Sequence, residues 1–93
     1  MSYHLDFSQQ AQNDIEFHKN AGNKAVLKKL VILLVELTDH PFTETGKPEP
    51  LKYSLSGCWS RRINQEHRLV YEVMDDTIFI HSVAGHYFFI NIL

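Results

Sequence analysis

Ninety-three residues, 44% apolar and 22% charged, suit one domain (residues 1–93) around one thin core and are too few for two. The formal charge of −2 excludes a globally basic nucleic-acid binder, and the single cysteine, Cys58, excludes an internal disulfide. No apolar run approaches the roughly 20 residues of a membrane span, and Met1-Ser2-Tyr3-His4-Leu5-Asp6 lacks the basic start and apolar stretch of a signal peptide, so a cytoplasmic protein with no membrane partner is expected.

Tyr3-His4-Leu5-Asp6-Phe7 alternates apolar and polar positions, as a short strand with one buried face does. Ser8 then suits the N-cap of a helix running to about Ala21, with Ala11, Ile15 and His18 on one stripe and Gly22 as its stop. Asn23 reads as the cap of a second helix. Val26, Leu27, Leu30, Val31, Leu34 and Leu37 recur there at three- and four-residue spacing, opposite Lys24, Lys28 and Lys29, and Pro41 ends the run. The short Gly22-Asn23 junction predicts an antiparallel helix pair.

Residues 38–50 are rich in Thr, Pro and Gly and read as a loop. Strand-like runs follow around residues 52–55, 58–63, 68–74 and 77–86, separated by Ser56-Gly57, Asn64-Gln65-Glu66 and Asp75-Asp76. Connections this short make antiparallel neighbours. The expected fold is therefore α+β. A strand and two antiparallel helices precede a meander, with the helices on one face of an antiparallel sheet of about four to five strands and the other face open to water or a partner.

Three segments carry candidate chemistry. Glu49 stands between Pro48 and Pro50, which hold the backbone extended and present one carboxylate stiffly. Such a group serves as a general base where its surroundings raise its pKa; taken alone, a solvated loop glutamate is the better explanation. The run from Trp59 to Tyr71 reads as a hairpin with Arg61, Arg62, Arg68 and His67 near its turn. Arginine suits phosphate because its planar fork donates two hydrogen bonds at once, while arginines paired with Glu66 or Glu72 are the plainer alternative. Trp59 and Tyr71 fit a sheet face better than a base-stacking platform. The third segment is His86-Tyr87. A two-residue turn at Asp75-Asp76 sets Arg68 opposite Val83 and leaves His86 about 10 Å further along the strand.

From Lys47 to Arg68 five basic residues face two acidic ones, so a local positive patch is compatible with the acidic whole. The six histidines show no pair at finger or helical ligand spacing, and with one thiol available no structural zinc site and no cofactor is expected. Cys58, in a strand-like apolar setting, reads as structural.

Taken together, Gly46-Lys47-Pro48-Glu49-Pro50-Leu51-Lys52, Leu55-Ser56-Gly57, Trp59-Ser60-Arg61-Arg62-Ile63, Glu66-His67-Arg68-Leu69-Val70-Tyr71 and His86-Tyr87 closely resemble the YoeB/Txe family of bacterial toxins, within the RelE-like messenger-RNA endonucleases. The match is dense from residue 41 to 76 and looser in the helical half. The resemblance implies a microbial-RNase fold and ribosome-dependent cleavage of translated messages. It also implies a homodimer and neutralisation by a YefM/Phd-like antitoxin. It carries the catalytic roles onto Glu49, Arg68, His86 and Tyr87, and RNA contacts onto Lys52, Arg61 and Arg62. The chain departs from the pattern where Val83-Ala84-Gly85 supplies no arginine before His86, and where Phe88-Phe89-Ile90-Asn91-Ile92-Leu93 continues past the terminal tyrosine. The missing arginine favours a second reading, a module that only grips an antitoxin or a DNA-repressing complex. The intact Glu49, Arg68 and His86 favour the nuclease, and retention of Glu49 and His86-Tyr87 speaks against a gyrase poison on the same fold.

Overall fold

A computed structural model of the chain describes residues 2–41, 49–50 and 57–85, Glu49 by its backbone alone. The alternating N-terminal run forms β1 (His4–Phe7), followed by α1 (Gln9–Asn20) and α2 (Lys24–Asp39). β2 (Glu49–Pro50), β3 (Cys58–Arg62), β4 (Arg68–Met74) and β5 (Thr77–Ser82) complete the described elements. The expected strand over residues 52–55 lies outside the described residues.

Ser8 caps α1 as its residue type predicts: its Oγ accepts from Ala11 N at 3.0 Å. The same hydroxyl donates to the His81 carbonyl at 2.7 Å, and Ser8 N donates to the Ile80 carbonyl, so the start of the helix is bolted to β5. At the other end Gly22 takes φ +72, while its N–H reaches the Lys19 carbonyl and that of Asn23 reaches the His18 carbonyl. This is the paired closure that a glycine in the left-handed region allows. Asn23 does not cap α2 with its side chain; its amide faces His18 instead.

Among the described residues five strands form one sheet in the order β1-β5-β4-β3-β2. β2, β3, β4 and β5 pair antiparallel as the short connections require, whereas β1 joins β5 parallel after the two-helix crossover and makes the sheet mixed. The core gathers Leu69, Tyr71, Ile78 and Ile80 from the sheet against Ala11 of α1 and Val26, Leu30, Leu33 and Leu37 of α2. Val31, expected in the core stripe, is 60% exposed, and Ile32 and Val35 are exposed beside it. At 100° per residue Val31 lies roughly 130° from the centre of the stripe that Leu33 completes. Among the described residues no helix is long and apolar enough to cross a membrane.

Alternation along β3 sends Trp59 and Arg61 towards the helices and Cys58, Ser60 and Arg62 to the second face. Arg61 is consequently fully buried. It donates to the His40 carbonyl, stands 3.5 Å from the Glu36 carboxylate and reaches the Tyr71 hydroxyl at 3.4 Å. The Tyr71 hydroxyl in turn donates to the Pro41 carbonyl at 2.5 Å. Burial pushes the Tyr71 phenol above its usual range, the neighbouring guanidinium pulling the other way. This network ties the end of α2 to the middle of the sheet. The second face is not open along its length: Ser60, Arg68, Val70 and Ser82 are buried on it.

Replacing Arg61 by Ala leaves Glu36 without this partner and a void beneath α2, and is expected to lower the unfolding free energy by about 3 kcal/mol in urea titration. Arg62→Ala, on the exposed side of the same strand, should stay within about 0.5 kcal/mol of wild type.

Candidate active site

The strand register assembles the candidate residues. Glu49-Pro50, read from the sequence as the end of a loop, forms instead the two-residue edge strand β2, with Glu49 opposite Ser60 and Pro50 opposite Trp59. A proline suits an edge strand because it has no N–H to leave unpaired there. Ser60 is opposite Val70 of β4, and two residues before Val70 comes Arg68. Glu49 and Arg68 are thus separated by one strand and two residues, about 12 Å between Cα atoms at ordinary sheet spacings. Arg68 Nε donates to Ser60 Oγ at 2.7 Å, across β3 and β4, so the serine that faces Glu49 in register also orients the guanidinium. Arg68 is only 3% exposed.

The hairpin register runs as a two-residue turn at Asp75-Asp76 predicts as far as Tyr71↔Ile80, and then slips: Val70 faces Ser82, with a bulge at the Val70/Tyr71 step. Asp75 takes φ 53, a conformation aspartate tolerates. The bulge moves the residue expected opposite Arg68 from Val83 to Ala84, and the bend that follows β5 carries the contact one residue further for Arg68. Its backbone N–H donates to the Gly85 carbonyl at 3.0 Å, so it meets the residue that precedes His86 in the chain.

Four polar groups grip the bend at residues 83–85. Val83 N donates to Asp14 Oδ2 at 3.0 Å, and the Val83 carbonyl lies 2.9 Å from His18 Nε2. A carbonyl only accepts, so His18 carries its proton on Nε2 and takes the Asn23 amide on Nδ1 at 3.1 Å. Gly85, at φ +75, gives its N–H to His67 Nδ1 at 3.0 Å and its carbonyl to Arg68. His67 is itself set by the turn before it, where Asn64 Oδ1 accepts from the backbone of Glu66 and His67. Burial lowers the His67 pKa, the adjacent His18 ring lowers it further, and Glu66 and Asp14 act in the opposite sense. Protonation would place a second donor on Nδ1 against the Gly85 N–H and break that hold.

The structure therefore brings the Glu49 backbone, Arg68 and the residue before His86 to one end of the sheet. His86, Tyr87 and Lys52 lie outside the described residues. The expectation that Arg61 contacts RNA is corrected, because alternation buries its side chain under α2; Arg62 remains exposed. His67 was noted from sequence only as part of the hairpin turn, and Ser60, Asp14 and His18 were not singled out as parts of the site. The readable signal for the last two is a polar pair at i and i+4 beside the apolar stripe of α1.

The fold and site define a class: two helices over a mixed sheet, with a held arginine and a clamped bend at one end of the second face. The family model described as YoeB-like toxin of bacterial type II toxin–antitoxin system matches residues 7–87. Toxin YoeB of Escherichia coli (strain K12) is 43% identical over 83 residues, covering 89% of this chain and 98% of that protein. The toxin in a YoeB–YefM complex from Staphylococcus aureus is 42% identical with a TM-score of 0.80, and a YoeB dimer from the same organism is 41% identical with a TM-score of 0.81. Each covers 94% of this chain and 100% of the other. The chain belongs to the YoeB-like toxins.

A histidine with a lowered folded pKa binds its proton more weakly folded than unfolded. The hold of His67 on Gly85 thus contributes fully above about pH 6.5 and is lost as the pH falls through the lowered value. The melting temperature should therefore fall from pH 7 to pH 5, and the slope should be shallower in His67→Gln, as read by circular dichroism.

Proposed function

We propose that the chain is a ribosome-dependent endoribonuclease of the cytoplasm that cuts translated messenger RNA, one toxin domain spanning residues 1–93. The ribose 2′-hydroxyl attacks its own neighbouring phosphate and the 5′-oxygen of the next nucleotide leaves. Glu49 takes the 2′ proton, Arg68 bears the negative charge that grows on the phosphate oxygens, His86 protonates the leaving oxygen, and Tyr87 orients the substrate. Lys52 and Arg62 contact the RNA backbone. Because the nucleophile belongs to the substrate, the step calls on no cofactor, and DNA, lacking the 2′-hydroxyl, is not cut.

One observation carries this reading: Glu49 faces Ser60, Ser60 accepts from Arg68, and Arg68 holds Gly85, the residue before His86. A guanidinium kept nearly out of water and fixed by a neighbouring hydroxyl is preorganised for a phosphate, whose contact is worth more there than in bulk solvent. A YefM-like antitoxin and a second copy of the chain are the proposed partners, in keeping with the Staphylococcus aureus YoeB–YefM complex and YoeB dimer. The exposed apolar trio Val31, Ile32 and Val35 on α2 supports such a docking surface. The missing arginine before His86 favours an antitoxin-binding module without catalysis as the second reading.

Primer extension on a translated message, with and without ribosomes, separates the two. Wild type should cut only where ribosomes are present. Glu49→Ala and His86→Ala should each lose about 10²-fold or more with an unchanged circular dichroism spectrum. Equal cutting by His86→Ala overturns the mechanism, and no cutting by wild type selects the binding module.

A further inference from the structure

At the end of the second face away from Arg68, three ligand-bearing side chains from three neighbouring strands converge. Cys58 of β3 is paired in register with Glu72 of β4, and His81 reaches the same carboxylate from β5. His81 Nε2 lies 3.1 Å from Glu72 Oε1, and Cys58 Sγ lies 4.0 Å from the same oxygen. All three ligand atoms fall within 4.8 Å of one another. We propose that Cys58, Glu72 and His81 form a binding site for a zinc-class divalent cation, with a fourth position open to water or to a side chain of a partner.

The distances suit that ion. Tetrahedral zinc, with bonds of about 2.3 Å to sulfur and about 2.0–2.2 Å to nitrogen and oxygen, holds its ligand atoms roughly 3.3–3.6 Å apart. The Cys58–Glu72 gap must close by a few tenths of an ångström, the Glu72–His81 gap must open by about as much, and the Cys58–His81 gap, within 4.8 Å, must close by up to about 1 Å as the side chains turn. One soft sulfur, one imidazole and one carboxylate select zinc, cobalt or nickel over magnesium or calcium. The backbone is prepared for it. His81 is the extra residue of the bulge, and its carbonyl is fixed by Ser8 Oγ, so the ring is delivered to Glu72. Among the described residues no fourth histidine, cysteine or carboxylate joins the group. The Glu72 and His81 side chains are 35% and 33% exposed, so an ion has a path in, while Cys58 is buried.

Without metal the thiol keeps its proton, since burial and then the Glu72 carboxylate both push its pKa up. Binding replaces that proton: the S–H bond breaks, the sulfur–metal bond forms and one proton leaves to solvent. His81 ligates as the neutral ring, its proton moved to Nδ1. Thiolate and carboxylate together then balance the dication. Because binding releases the thiol proton, affinity should fall as the pH is lowered.

Cobalt titration of the reduced full-length chain tests the site, because Cys58 is the only thiol and any thiolate-to-cobalt charge-transfer absorption belongs to it. The band should saturate at one ion per chain and disappear on adding zinc. It should be absent in Cys58→Ser and need at least tenfold more cobalt in His81→Gln and Glu72→Gln. Zinc at a hundredfold excess over its dissociation constant should raise the melting temperature by roughly 10–20 °C. No band in wild type, one ion per two chains, or unchanged titration in the His81 and Glu72 variants overturns the proposal. Those two variants keep the thiol, so the test stands even where Cys58→Ser does not fold.

Discussion

A single extra residue in β5, opposite the Val70–Tyr71 step of β4, decides what the second face of the sheet presents. Before it the hairpin follows the register of its two-residue turn; after it every β5 partner is displaced by one. A strand changes faces with each residue, so a slip of one is the largest local change a register can make. Together with the bend at residues 83–85 it brings Arg68 to Gly85, which delivers the chain before His86 to the guanidinium strand. His81, on the face of Phe79 by ordinary alternation, is the residue the bulge adds, and it reaches Glu72 beside Cys58. The two polar clusters lie at either side of this irregularity, about 13 Å apart along β4 from Arg68 to Glu72. The Ser8 hydroxyl, accepting the Ala11 N–H and donating to the His81 carbonyl, keeps the bulge from relaxing.

Buried polarity elsewhere serves the same end. Asp14 and His18 face into a small core, where an unpaired group costs about 1–3 kcal/mol, and both find partners on the backbone of Val83. An apolar pair at those positions could pack as well, but it would not select one conformation for the bend. Hydrogen bonds to both the N–H and the carbonyl of Val83, and again of Gly85, fix peptide orientation in a way contact area does not. The Arg61 network does likewise for the end of α2, joining His40, Pro41 and Tyr71. The helices therefore do more than cover the sheet: they position the strand ends from which the site is built.

Much of this was legible. Ser8, Gly22 and the Asp75-Asp76 turn act through local chemistry, and the elements they bound fall where that chemistry puts them. The faces of Arg61 and Arg62 were legible too: Arg61 shares its parity with Trp59 and pairs with Leu69, two apolar residues, which marks the helix side. Reading the arginines as one phosphate-facing group passed over that alternation. The bulge was not legible, because nothing in Ile80-His81-Ser82 marks an extra residue and only the packing of Ser8 against β5 selects it. For the same reason the Cys58, Glu72 and His81 cluster cannot be found by ligand spacing along the chain, since its members come from three strands. Asn23 misled because its amide serves either a helix start or a neighbouring ring, and the chain places His18 within reach.

The acidic net charge now has a consequence for mechanism. Of the positive charges expected to form a patch, Arg61 is committed to Glu36 inside the fold and Arg68 is buried, so neither projects into solvent as a counterion for RNA. Sequence-independent attraction to a polyanion scales with the phosphates neutralised and weakens steeply with salt. A chain whose 11 acidic residues outnumber its 9 basic ones, two of them buried, gains little from it. On the proposed reading, the energy that aligns the message must then come from elsewhere, and a ribosome that already holds the RNA is one source. The buried guanidinium is suited to that division of labour: it contributes little to capture, but in a low-dielectric site it acts strongly on charge that develops only in the transition state.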